Sequence, residues 1–204
     1  AFALTPGLLV SEVSNRSWAS INYRGLGEPH ESWNLLILKD GVPVSPDPYN
    51  YPAAYYTPPL DAVSRIEFVR GGASLLYGPQ PGGALNYVTR KPGLDETGWA
   101  ASGAYGSENF ANLYAAGWMG DGTSGLHGYV SRVEGEGPRV ANSDFLTQGA
   151  AVTTSTRVGT ATWTAGLDVY RGDFGEPGGL SLARFQAHAA DGSTPVDAVQ
   201  IDRV

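Results

Sequence analysis

Residues 66–92 read IEFVRGGASLLYGPQPGGALNYVTRKP. The stretch opens with apolar Ile66 and Phe68 alternating with Glu67 and Arg70, the mark of a half-buried strand. Gly71 and Gly72 break it, a short apolar segment follows, and Gly78-Pro79-Gln80-Pro81-Gly82-Gly83 forms a second break. Ala84 to Thr89 then reads as another strand, stopped by the basic, proline-ended Arg90-Lys91-Pro92. Glycine at both breaks permits positive φ and close backbone approach, so the spacing predicts a compact strand–turn–strand unit.

The order of features in this stretch (a strand with Arg-Gly, a Tyr-Gly turn, a Gly-Gly pair, a strand with Asn-x-x-Thr) resembles the end of the plug domain of TonB-dependent outer-membrane receptors. Other segments follow in the same family order. Ala3 to Val10 contains Pro6-Gly7-Leu8, a turn leading into a strand that resembles the plug's Pro-Gly-Val segment, with Ser11 to Ser17 read as a polar loop. Ser20 to Gly25, with Tyr23-Arg24-Gly25, is similar to the family's Arg-Gly strand. Trp33 to Leu38 is an apolar strand, and Lys39-Asp40-Gly41-Val42-Pro43 supplies a tight Asp-Gly turn.

Composition agrees with a turn-rich β protein: 28 Gly and 14 Pro with no long helical pattern. Only 16% of residues are charged, while 11 Tyr and 5 Trp favour interfaces, membrane girdles among them. The net charge of −7 is uneven: residues 1–94 hold seven basic and seven acidic groups, and 95–204 hold six and thirteen. That shift predicts a boundary near Leu94. An acidic chain with both lysines before Pro92 is a poor nucleic-acid binder. The absence of cysteine excludes disulfides and thiolate metal sites. No apolar run approaches the roughly 18 to 20 residues of a spanning helix, which does not bear on a barrel. With neither an initiating Met nor a basic leader, the chain reads as beginning and ending inside a larger protein.

Beyond Pro92 the pattern changes to long alternating strands. Ala161, Trp163, Ala165, Leu167 and Val169 fall on one face, with Thr162, Thr164, Gly166 and Asp168 on the other. Lipid outside and water inside a barrel demand such a dyad. Noisier strands are predicted near Trp99–Tyr105, Phe110–Met119, Leu126–Glu134 and Leu146–Thr156. Short turns at Gly120 to Thr123 and Thr156 to Gly159 alternate with long connections at Gly135 to Asp144 and Gly172 to Pro195. A soluble sandwich would show more surface charge on these strands. The segment from Tyr170 to Ser181 resembles a loop of the ferric-citrate receptor branch.

The expected fold is therefore mostly β. Residues 1–94 form a plug domain, a small mixed sheet with short helices, lacking its N-terminal part. Residues 95–204 form the first antiparallel strands of a transmembrane barrel of about 22 strands. The resemblance implies an outer-membrane receptor, not an enzyme, that takes up a scarce nutrient, foremost a ferric chelate. Iron would travel as a chelated ligand, with no resident cofactor or metal site. Energy would come from the TonB–ExbB–ExbD complex through a segment preceding the plug, and outer-membrane lipid would surround the barrel.

The proline- and tyrosine-rich loop from Val44 to Leu60 is too long for a plain connection. Its rigid aromatics suit ligand contact at the plug's outward apices or packing on the barrel wall. The ligand-contact candidates are Tyr49, Asn50, Tyr51, Tyr55 and Tyr56 from this loop, with Asn15, Arg16 and Trp18 from the first apex. By resemblance, Arg24 and Arg70 pair with barrel glutamates beyond Val204, since a buried guanidinium needs partners.

Catalytic signals are weak. His30, His127 and His188 have no metal-type spacing. Glu134 with Glu136, and Asp168 with Asp173 and Glu176, are the carboxylates a hydrolase would have to pair. The competing readings are a secreted all-β carbohydrate-binding module or glycan hydrolase and, within the family, cobalamin or oligosaccharide uptake.

Overall fold

A computed structural model describes residues 8–12, 19–23, 35–44, 56–70, 77, 82–137, 142–177, 182–183, 186 and 200–201. Two principal sheets carry the fold. The first is small and mixed: β3 (Leu36–Lys39), β4 (Val42–Pro43), β5 (Val63–Val69) and β6 (Ala84–Thr89), in the spatial order β4-β3-β6-β5. Preceding it, β1 (Leu8–Glu12) and β2 (Ala19–Tyr23) pair antiparallel. The β1 strand thus takes in Ser11 and Glu12, which the sequence reading had placed in the following loop.

The predicted strand–turn–strand unit is present as the antiparallel pair β5 and β6. Val69 lies opposite Ala84 at the point where the unit opens. Gly83 there has φ +98°, and a Cβ on it would collide with the Val69 carbonyl oxygen. Only glycine fits. The Asp40-Gly41 turn joins β3 to β4 with positive φ at both residues, 52° and 82°, as a tight hairpin turn requires.

β3 and β6 run parallel, Leu38 beside Asn86. Both faces of this sheet are covered. Leu35, Ile37, Leu85 and Tyr87 cluster with Phe68 and Ile66 on one side, and Leu36, Leu38 and Ala84 with Val69 and Tyr77 on the other. Two buried faces explain why Leu35 to Leu38 is a continuous apolar run rather than an alternation. Burial also pushes the Tyr87 hydroxyl up to about 12, so it stays protonated. Leu60–Ala62 forms a 3₁₀ turn before β5.

The second sheet is a five-stranded antiparallel meander of β7 (Gly98–Tyr105), β8 (Ala111–Gly120), β9 (Ser124–Gly135), β10 (Phe145–Val158) and β11 (Ala161–Phe174). All five expected strands are found, four of them longer than expected and β8 of the expected length but shifted by one residue. A short pair, β12 (Glu176–Pro177) and β13 (Gln200–Ile201), follows.

The largest correction concerns the end of β11. A long connection was expected from Gly172, yet Gly149 to Phe145 pair with Tyr170 to Phe174 in unbroken register. The reason lies in length. At 14 residues, β10 and β11 exceed the roughly 9–11 that cross a bilayer, so their outer ends leave the apolar layer. Beyond that layer the outward positions become polar, Arg171 and Asp173, and the dyad that marks the strand in the sequence disappears.

Register assigns the two faces. Trp118, His127, Thr153 and Gly166 share a row on one face, and Ala116, Tyr129, Ala151 and Asp168 share the next row. Tyr114, Tyr129 and His127 on this face are buried, and it meets the small sheet's domain. The opposite face presents Leu113, Val130, Val152, Leu167 and Val169 outward, with Trp99 79% and Trp163 70% exposed near the short-turn ends. Tyr105 lies at the other end of β7. Aromatics near both ends of an apolar band are what a membrane-spanning barrel wall requires. Among the described residues no helix is long and apolar enough to cross a membrane.

Candidate functional site: the contact between the small domain and the barrel wall

Two sequence motifs meet at the turn that faces the wall. Because β3 and β6 are parallel, the Asp-Gly turn lands beside the Asn-x-x-Thr strand. Asn86 Oδ1 accepts from the Gly41 N–H (2.9 Å), and the Asn86 amide donates to Glu67 (3.0 Å). Asp40 accepts from the Thr89 N–H (2.9 Å) and the Thr89 hydroxyl (2.6 Å), and Lys91 Nζ lies 3.0 Å away. Burial alone would raise the Asp40 pKa. The Thr89 hydrogen bonds and then Lys91 outweigh it and hold the carboxyl below the usual range.

The turn so fixed presents Lys39 to the wall, where it pairs with Asp168 of β11. The Tyr129 hydroxyl also donates to Asp168 (3.3 Å). Among the inward-facing positions of β7–β11, Asp168 is the only carboxylate. The pair is partly exposed, with side-chain exposures of 17% for Lys39 and 34% for Asp168. One ring beyond, Tyr56 packs edge-on against Tyr170 with centroids 5.0 Å apart. Burial, and then the Asp168 carboxylate, raise the Tyr56 hydroxyl pKa, so this ring enters the contact neutral.

Three further contacts among the described residues extend the seam. Ala62 of the 3₁₀ turn is buried against Tyr114 and Tyr129, and Asp61 accepts from the Ser102 hydroxyl (2.8 Å). The Arg90 N–H donates to the Ala62 carbonyl (3.0 Å), and its guanidinium lies 5.2 Å over the Trp118 ring. Trp118 in turn stacks on His127. Among the described residues the contacts named at the seam are mainly polar and aromatic, of a kind that separates at modest cost.

Of the residues picked from the sequence, Asn15, Arg16, Trp18, Arg24, Tyr49, Asn50, Tyr51 and Tyr55 lie outside the described residues. Tyr56 is at the seam, and Arg70 follows β5 and is exposed. Of the carboxylates considered for hydrolysis, Glu134, Glu136 and Asp173 line one open pocket at the ends of β9, β10 and β11, and Asp168 lies apart from them. Asp168 faces inward and Asp173 outward on β11, while Glu134 is held by Arg132 (2.6 Å). The Lys39–Asp168 pair and the Arg90–Trp118–His127 stack were missed. One signal was available: Asp168 is the lone charge on the polar face of the cleanest alternating strand.

These observations define a small, two-sided sheet domain seated against the inner face of a barrel wall. The family described as TonB-dependent Receptor Plug Domain matches residues 1–85. An iron-regulated outer membrane virulence protein of Vibrio cholerae serotype O1 is 32% identical over 143 residues, covering 61% of this chain and 20% of that protein. The solved structure of the unliganded ferric citrate transporter FecA superposes with a TM-score of 0.69 at 27% identity, covering 89% of this chain and 29% of that one. The ferric yersiniabactin uptake receptor FyuA of Yersinia pestis superposes with a TM-score of 0.61 at 20% identity, covering 84% of this chain and 28% of that one, a likeness of fold alone.

Residues 1–85 match the plug domain of TonB-dependent receptors, and the superposition on FecA and the iron-regulated relative support a TonB-dependent receptor of the outer membrane, a plug domain followed by the start of the barrel. The chain spans about a fifth of the length of the curated relatives it matches.

Proposed function

We propose that the full protein actively takes up a ferric chelate, of the siderophore or ferric-citrate kind, across the outer membrane. The observation that carries this reading is the similarity to a ferric citrate transporter over most of the chain at 27% identity. The iron-regulated relative supports the same ligand class. In this reading the ligand meets Asn15, Arg16 and Trp18 of the first apex and Tyr49, Asn50, Tyr51, Tyr55 and Tyr56 of the tyrosine loop. Arg24 and Arg70 engage barrel carboxylates, the TonB–ExbB–ExbD complex supplies energy, and no catalytic residue or resident cofactor takes part. A plug held by a partly exposed ion pair and edge-on rings suits a domain that must shift during each transport cycle.

The test is uptake of labelled ferric citrate by iron-limited cells carrying the full-length receptor, with and without TonB. Uptake that disappears without TonB is the expected result. Uptake that persists without TonB would overturn the mechanism. Failure to bind or import any ferric chelate, with import of cobalamin or an oligosaccharide instead, would overturn the ligand class.

A further inference from the structure

Between the plug and the wall lies a cavity of about 510 Å³. Lys39, Asp40, Thr89, Arg90 and Lys91 line it from the plug, and His127, Thr153, Thr164 and Asp168 from the barrel. Its position is toward the short-turn end of the sheet. His127 stands three residues past the start of β9, and Thr164 three past the start of β11. Short turns mark the periplasmic side of an outer-membrane barrel, so the cavity is on the exit half of the lumen.

The charges around it do not cancel. Lys39 is paired with Asp168, and Lys91 with Asp40. Arg90 has no carboxylate partner among the described residues and rests on Trp118. Among the described residues one positive charge therefore remains at the cavity's rim. The wall side adds a built polar feature. His127 is 3% exposed, and its Nε2 has no hydrogen-bond partner among the described residues. A buried polar atom left without a partner is costly, and its presence points to something that satisfies it.

In the register, His127, Thr153 and Gly166 form one row across three strands. Gly166 keeps that row open, since a Cβ there would press on Thr153 Oγ1 at 3.3 Å. A guanidinium and a hydroxyl around one space are donors that suit an oxyanion, and a neutral imidazole joins them when its proton is on Nε2.

We propose that this cavity is an anion-binding way-station on the exit side of the plug, taking the carboxylate groups of an anionic chelate in transit. The transit role rests on the transporter reading above. The anion site itself rests only on the residues that line it. Arg90 and His127 hold the oxyanion, Thr153 adds a hydroxyl, and the Lys39–Asp168 pair stands at the side of the cavity.

The described chain has no cysteine, so a single introduced thiol reports on the cavity. In the purified full-length receptor, with any native thiols removed, Thr153→Cys is treated with two small thiosulfonate reagents, one a sulfonate and one a quaternary ammonium. Relative to a free thiol in solution, the anionic reagent is expected to be favoured by roughly 10-fold. Arg90→Gln in the same background should remove most of that preference, and citrate should slow the anionic reaction while choline does not. Equal rates for both reagents, a preference surviving Arg90→Gln, or no effect of citrate would each overturn the proposal. Thr164→Cys, on the same cavity, serves if Thr153→Cys does not fold.

Failure here would leave ferric-citrate uptake, measured separately in cells, untouched. Failure of that uptake with the anion preference intact would remove the proposed cargo and keep the site.

Discussion

The plug sheet and the barrel sheet solve opposite problems with the same residue types. In the plug, Leu36, Leu38, Ala84 and Leu85 are buried on both faces, and polar Asn86 and Thr89 are admitted because each is hydrogen-bonded. In the barrel, Leu167, Val169 and Trp163 are exposed, while Tyr129, His127 and Ser155 are buried. For the first sheet the good solvent for an aliphatic side chain is the protein interior. For the second it is the membrane. Burial alone therefore does not identify what holds each sheet in place. The solvent on each face does.

This contrast can be broken at specific positions. Leu85 is wholly buried in the plug, so Leu85→Ala should destabilise that domain by about 2–5 kcal/mol. Hydrogen exchange of the plug amides in the full receptor would show it, with barrel amides unaffected. Leu167 is 67% exposed, and an aqueous surface would tolerate Leu167→Arg. Facing lipid near the midplane, the same change should cost about 2–4 kcal/mol and lower the yield of assembled barrel in the outer membrane.

A smaller effect is expected at the turn that joins the two plug motifs. Asp40→Asn keeps the shape and removes the charge that Thr89 and Lys91 stabilise, costing about 1–3 kcal/mol. The pH dependence has a definite sign. Because the Asp40 pKa is lowered in the fold, its contribution is fully present above about pH 4, the ordinary carboxylate value. It is lost as pH falls through the depressed value, and Asp40→Asn should flatten that limb of a plug-stability profile. The smallest effect belongs to the seam. Partly exposed, the Lys39–Asp168 pair should show a coupling of about 0.2–1 kcal/mol in a double-mutant cycle of Lys39→Ala and Asp168→Ala.

Local rules made much of this legible in the sequence. Asp40-Gly41 specifies its turn by the φ values it requires, and Ala161 to Val169 carries a strict dyad because lipid and lumen face opposite sides. What escaped depends on pairing across long separations. Nothing near Asp40 announces that Thr89 will reach it, 49 positions away, because that contact follows from the parallel register of β3 and β6. Lys39 and Asp168 are 129 positions apart and meet only when the plug is seated. The end of β11 was hidden for another reason: outside the apolar layer an outward residue is polar, so a strand there looks like a loop.

The most direct test of the account compares two neighbouring positions of β11 in the full receptor embedded in outer-membrane vesicles. Both Thr164 and Ala165 are exposed on the chain described here, on opposite faces of the strand. With native thiols removed, Thr164→Cys should react with a water-soluble, membrane-impermeant maleimide that enters through the lumen. Ala165→Cys should be protected from that reagent and react only with a lipid-soluble one. Equal reaction of both positions with the water-soluble reagent would contradict a barrel wall with lipid on one side and the plug on the other.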